Sequence, residues 1–103
     1  MELIEKLADK ISEEIGDAKC YATMALQYRE NYPEMARTLY NISLEEMDHM
    51  RRLHEAAEKV IEIYRETKGE PPADMLAVYN YLHKRQIDQA AEAKIMQAMY
   101  KDG

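Results

Sequence analysis

The sequence predicts an all-α fold of three long helices, and three observations carry that expectation. Apolar residues recur at alternating steps of three and four over two long stretches. All three prolines in the 103 residues fall between those stretches or just after them. The composition is that of helix formers, 33% charged and rich in Ala, Glu, Met, Leu and Lys. No stretch reads as a strand, a low-complexity segment or a strong internal repeat.

Helix 1 is expected over about residues 2–30, with the stripe Leu7, Ile11, Glu14, Ala18, Tyr21, Ala25 and Tyr28. Asn31-Tyr32-Pro33 breaks the pattern, and Pro33 suits the first position of the next helix, where its missing N–H costs nothing. So short a connection forces the two helices to lie antiparallel and adjacent. Helix 2 is expected over 33–68, with the stripe Leu39, Ile42, Glu46, His49, Leu53, Ala56, Val60 and Ile63. Gly69 stops it, with Pro71 and Pro72 behind. Helix 3 is expected over 73–101, its apolar positions (Met75, Val78, Tyr79, Leu82, Ile87, Ala90, Ile95 and Met99 among them) being less regular.

Helices 1 and 2 each carry a second seam beside the first: Ile4, Ala8, Ile11, Ile15, Ala18, Ala22 and Ala25 on one, Tyr40, Ser43, Met47, Met50, His54, Ala57, Ile61 and Tyr64 on the other. Two seams make the wide apolar face of a bundle helix. The chain is expected to form one domain over 1–103, with a core small enough to favour oligomerisation.

The net charge of −6 argues against nucleic acid and anionic membrane surfaces as partners. No apolar run approaches the ~20 residues that span a bilayer. The start, Met1-Glu2-Leu3-Ile4-Glu5-Lys6, alternates in charge and has no signal-peptide core. Cys20 is the only cysteine, so no internal disulfide forms; it reads as a small helix residue. The expected location is the cytoplasm. Phe and Trp are absent, and eight Tyr and eight Met replace them at half-buried and gap-filling positions.

Glu46 and His49, a Glu-x-x-His, interrupt an otherwise apolar stripe. A carboxylate and an imidazole aimed at a core are costly to bury without a partner, and residues three apart share one helix face. A metal ion suits both. Taking the turn near residue 32, Glu14 lies 18 positions before it and Glu46 and His49 lie 14 and 17 after it. Equal distances from the turn of an antiparallel hairpin mean equal heights, so Glu14, Glu46 and His49 meet at one level. Carboxylate and imidazole suit Fe, Mn or Zn. Two carboxylate-bridged ions need about four Glu and two His, and this chain supplies half. There is no second Glu-x-x-His; the nearest approach is Asn80-Tyr81-Leu82-His83. A C2 homodimer, or a multiple of it, completes the set and a four-helix bundle with it.

Other readings accompany these residues. Glu46 and His49 could instead form a buried pair that fixes bundle register. Glu13 reads as solvated surface and Asp17 as surface or as a hydrogen-bonding neighbour of the ligands. Tyr21, two turns from Glu14 on its stripe, reads as packing or as a one-electron donor. Met24, Met47 and Met50 read as gap-fillers, His54 and His83 as non-ligands, Asp88 and Glu92 as surface charges.

The segment Glu13-Glu14-Ile15-Gly16-Asp17-Ala18-Lys19-Cys20-Tyr21, followed by Glu46-Met47-Asp48-His49, resembles the first half of a ferritin-like di-iron protein. It resembles rubrerythrins and, in size and half-site logic, the encapsulated ferritins, over about residues 5–65. The resemblance implies a ferritin-like hairpin that dimerises around one ferroxidase site. It implies Glu14 as helix 1 ligand, Glu46 as bridging carboxylate and His49 as imidazole ligand. The chain departs from full rubrerythrins in carrying half the ligands and no cysteine pairs for a rubredoxin-type centre. It departs from encapsulated ferritins in its long helix 3 and in a C-terminus unlike a cargo-loading tail. The expected function is an oxidoreductase of the ferroxidase kind: oxidation of Fe(II) by O₂ or peroxide at a site shared between subunits, with two iron ions per dimer. Mn or Zn are alternative metals. A redox-inert metal-binding protein and a purely structural helical module are alternative functions.

Overall fold

The computed structural model describes residues 2–102, and all of its regular structure is helical, with no strand among the described residues. The elements are α1 (Glu2–Tyr28), α2 (Pro33–Lys68) and α3 (Ala73–Asp102). None is long and apolar enough to cross a membrane.

Helix α1 ends two residues before the expected boundary, and proline explains it. A residue that precedes proline is pushed out of the helical region, and Tyr32 sits at φ −137°, ψ 66°. Its amide donates to the Tyr28 carbonyl at 2.9 Å and its carbonyl accepts from the Ala36 amide at 2.9 Å, so one residue ties both helix ends together. The Tyr28 and Tyr32 rings meet edge-on at 6.3 Å. Gly69 ends α2 as expected, at φ +86°, with its amide donating to the Arg65 carbonyl at 3.2 Å.

The helices run up, down and up. Ser43 touches Ala18, and Ala57 and Ile61 cluster with Ile4, so α1 and α2 are antiparallel. Gln86 bonds to Ala8, Lys19 pairs with Glu92 at 2.9 Å, and Arg29 donates to the Met99 and Tyr100 carbonyls, so α3 runs parallel to α1. The Arg29 charge lies where the last carbonyls of α3 favour a cation. The bundle is 55 Å long and 19 Å thick.

What is buried departs from the expectation in one respect that matters. The seam of α1 that disappears from solvent is Ile4, Ala8, Ile11, Ile15, Ala18, Ala22 and Ala25, and the buried positions of α2 are Ala36, Ser43, Ala57 and Ile61. These small residues let the backbones approach closely, and α3 closes over them with Tyr79, Gln86, Ala90, Ala93 and Gln97. The neighbouring stripe, read from the sequence as buried, is only half-covered apart from Ile11, Ala18 and Ala25, which both seams of α1 share: Leu7, Glu14, Tyr21, Leu39, Ile42, Glu46, Leu53 and Val60 are intermediate, while His49, Ala56 and Ile63 are exposed. Helix α3 differs too. Val78, Ile87, Ile95 and Met99, expected as apolar contacts, are more than half exposed or nearly so.

Polar side chains fasten α3 to the hairpin. The fully buried Ser43 hydroxyl donates to the Ala18 carbonyl at 2.6 Å and accepts from Gln97 Nε2 at 2.8 Å. Gln86 Nε2 donates to the Ala8 carbonyl and the Ser12 hydroxyl, each at 3.0 Å. Every buried side-chain nitrogen and oxygen among the described residues has a partner, as the cost of burying an unpaired polar group requires. Removing the Ser43 hydroxyl orphans the Gln97 donor. Ser43→Ala is expected to lower stability by ~1–3 kcal/mol in urea unfolding at fixed protein concentration.

Nearer the other end, the His54 and His83 rings stack at 4.1 Å with 5° between their planes. His54 Nε2 faces a Glu58 carboxylate oxygen at 2.8 Å, so it carries the proton, and Nδ1 accepts from the Tyr79 hydroxyl at 3.2 Å. Burial, then the stacked His54, pushes the His83 pKa below its usual value. A base with a depressed folded-state pKa is bound more readily by protons in the unfolded chain, so stability falls as pH drops. The stabilising contribution is whole above about pH 6.5, the ordinary imidazole value, and disappears as pH falls through the lower folded-state value. Thermal melting from pH 7.5 to 5 is expected to show a steeper decline for the wild type than for His83→Phe, which keeps the stack without the charge.

Candidate metal centre

The hairpin has two faces. Three α1 groups that bond to α3 (the Ala8 carbonyl, Ser12 and Lys19) are turned ~120–160° around the helix from Glu14, at 100° per residue, and the long Arg29 side chain reaches α3 from ~60°. Helix α3 therefore covers one face, and Glu14, Glu46 and His49 stand on the other. Among the described residues, no hydrogen bond, ion pair or ring contact from α3 reaches them.

The α1–α2 register builds the cluster. Continuing the pairing of Ala18 with Ser43 and of Ile4 with Ala57 toward the middle puts Glu14 level with residues 46 to 49. One ligand-capable atom from each of Glu14, Glu46 and His49 lies within 4.8 Å of the other two, the one such group of three among the described residues. The Glu14 and Glu46 side chains are 20% and 16% exposed, while His49 is 50% exposed. The carboxylates are thus largely desolvated beside an imidazole that still reaches water.

The distances separate two chemistries. His49 Nδ1 is 3.7 Å from Glu14 Oε2 and 3.8 Å from Glu46 Oε1. Both exceed the ~2.7–3.2 Å of an N–H···O hydrogen bond, so these side chains are not a directly bonded polar pair. Two donors each ~2.0–2.2 Å from a common ion, at angles of about 90–120°, sit ~3–3.8 Å apart. The spacing and the donor set both fit a first-row divalent metal.

Neighbouring charges divide into those near the cluster and those held elsewhere. Lys10, one turn before Glu14, bonds to Glu13 at 3.1 Å. Its pKa is raised by that hydrogen bond first and by the charges of Glu13, Glu14 and Asp17. Asp48 lies inside the Glu-x-x-His but belongs to another group. It bonds to Arg51 at 2.7 Å and pairs with Arg52 at 3.2 Å, and the Arg51 hydrogen bond is the first cause of its lowered pKa.

The remaining residues singled out from the sequence separate likewise. Tyr21 is half-buried, with no hydrogen bond or ring contact among the described residues. Met47 and Met50 pack on Ile11, Ile15 and Ala90. His54 and His83 stack between α2 and α3, away from the cluster. Glu92 pairs with Lys19, Asp17 and Asp88 are exposed, and Cys20 is free and exposed. Sequence reading missed the glutamines, although Gln86 and Gln97 lie 11 residues apart, three helical turns on one face. A cavity of about 500 Å³ lies between α2 and α3, lined by Met47, Met50, His54 and His83 and by none of the three cluster residues. Glu14, Glu46 and His49 lie on an open face, which becomes concave only when something covers it.

The family model for rubrerythrin matches residues 5–102. No curated protein and no solved structure matches significantly.

Proposed function

The chain belongs to the rubrerythrin family, within the ferritin-like di-iron superfamily, and on that premise we propose that it oxidises Fe(II) with dioxygen or peroxide at a di-iron site shared by two copies of the chain. The observation that carries this reading is the convergence of Glu14, Glu46 and His49 within 4.8 Å on the uncovered face of the hairpin. Three donors per chain are half of a carboxylate-bridged pair of ions, and a two-fold axis through that face supplies the rest.

The apolar surround supports the same arrangement. Leu3, Met35 and Ile63 are exposed on this face beside the half-covered Leu7, Leu39, Ile42, Leu53 and Val60. A stripe of this length is the kind of surface that marks a protein–protein contact. Stacking two hairpins face to face makes a four-helix bundle, with α3 of each chain on the outside.

Within that bundle Glu14, Glu46 and His49 of both chains would hold the two ions. The bound metal pair supplies the electron-transfer chemistry. The protein positions the ions and excludes bulk water. Four carboxylates from two chains offset the extra charge of ferric iron and so favour the oxidised product. Glu13, Glu14 and Asp17, whose combined field raises the Lys10 pKa, attract the Fe(II) substrate to the same end of the stripe. Tyr21, with its hydroxyl unengaged among the described residues, can bond to a ligand or give up one electron.

Two measurements test the reading. Elemental analysis with native mass is expected to find two metal ions per dimer, lost in a Glu46→Ala, His49→Ala variant; a wild type free of stoichiometric metal contradicts it. Anaerobic Fe(II) addition followed by O₂ is expected to raise ferric absorbance far above that of the double variant. Metal binding without that rise identifies a redox-inert Mn or Zn protein instead.

A further inference from the structure

Helix α3 carries apolar side chains on all sides, although only one side meets the hairpin. Gln86, Ala90 and Gln97 mark the inward side. Half a turn away runs a row that is exposed at every position: Ala77, Tyr81, Lys84, Asp88, Ala91 and Ile95. Its steps are 4, 3, 4, 3 and 4 residues, the spacing of a coiled-coil seam. Tyr81 and Ile95 are 62% and 57% exposed. Exposed apolar side chains at this spacing are the kind of surface that a second helix covers.

The row is complementary to itself when reversed. Laid antiparallel on a copy of itself about a two-fold at the level of residue 86, Tyr81 falls on Ala91 and Ile95 falls on Ala77, large on small both times. Lys84 falls on Asp88, twice, at the centre of the contact. The same register sets exposed Met99 over exposed Ala73. Neither Lys84 nor Asp88 has an ion-pair partner among the described residues of its own chain, although they are four apart on one helix. We propose that this face of α3 is a homotypic interface, in which α3 of a second copy packs antiparallel, with the Lys84–Asp88 pairs setting its register.

The contact is separate from the one proposed around the metals. It lies on α3, which covers the face of the hairpin opposite Glu14, and it needs no metal. Two different two-folds on opposite sides of one chain join dimers into tetramers or larger closed assemblies. Apolar burial drives the pairing, while the charges reject other registers, because exposed pairs contribute little affinity alone.

Charge reversal tests it. In Asp88→Lys, each Lys84 faces a lysine, and native mass with light scattering is expected to fall to half the wild-type value or to the next smaller species, with metal content per chain unchanged. The swapped variant, Lys84→Asp with Asp88→Lys, is expected to recover the wild-type mass. Both sites are exposed within the chain, and circular dichroism checks that helicity is retained. Repeating the series in the Glu46→Ala, His49→Ala background shows that the α3 contact needs no metal: Asp88→Lys is expected to lower the mass there as well. An Asp88→Lys mass equal to wild type, or a swapped variant that stays small, overturns the proposal, and α3 then faces solvent or a different partner.

Discussion

Two apolar seams on one helical hairpin cannot both be covered by a single third helix, and most of this structure follows from that constraint. Helix α3 takes the alanine seam, where Ala8, Ala18, Ala22, Ala57 and Ser43 let α1 come close to both of its neighbours. The other stripe is left half-covered, and it carries Glu14, Glu46 and His49. If α3 covered that stripe instead, the three polar side chains would meet apolar residues and their desolvation would go uncompensated. Uncovered, they keep contact with water within one chain. The burial of α3 and the openness of the cluster are therefore one fact seen from two sides.

The division of polar groups follows the same logic. On the α3 side each buried polar atom is neutral and saturated: Ser43 with Gln97 and a carbonyl, Gln86 with a carbonyl and Ser12. Such bonds fix register without charge. On the open side the polar atoms are ionisable and stand 3.7 and 3.8 Å apart, too far to satisfy one another. A saturated network locks a helix in place, whereas an unsaturated one invites a ligand.

Much of this was legible in the sequence. The 3–4 periodicity and Pro33 gave the antiparallel hairpin, and counting outward from the turn put Glu14 level with Glu46 and His49. That works because helical rise is constant and a four-residue connection leaves little freedom. The side of the hairpin that α3 chooses was less legible. Periodicity marks both seams as apolar and does not rank them; the ranking comes from side-chain size, and alanine wins the closest contact. Gln86 and Gln97 were invisible for a related reason: a pattern of apolar residues does not reveal a polar residue that is buried because it is satisfied. The stacked His54 and His83 come from different helices, and their meeting depends on which side of α3 turns inward, which its even spread of apolar residues does not mark.

The central claim is that the hairpin holds half of a metal site. A crystal structure of protein loaded anaerobically with Fe(II), with anomalous scattering recorded at the iron edge, tests it most directly. Two iron peaks are expected beside a two-fold axis, each within coordination distance of carboxylates from both chains and of one His49. Peaks bound by one chain alone, or a dimer whose two-fold leaves Glu14, Glu46 and His49 facing solvent, would contradict it.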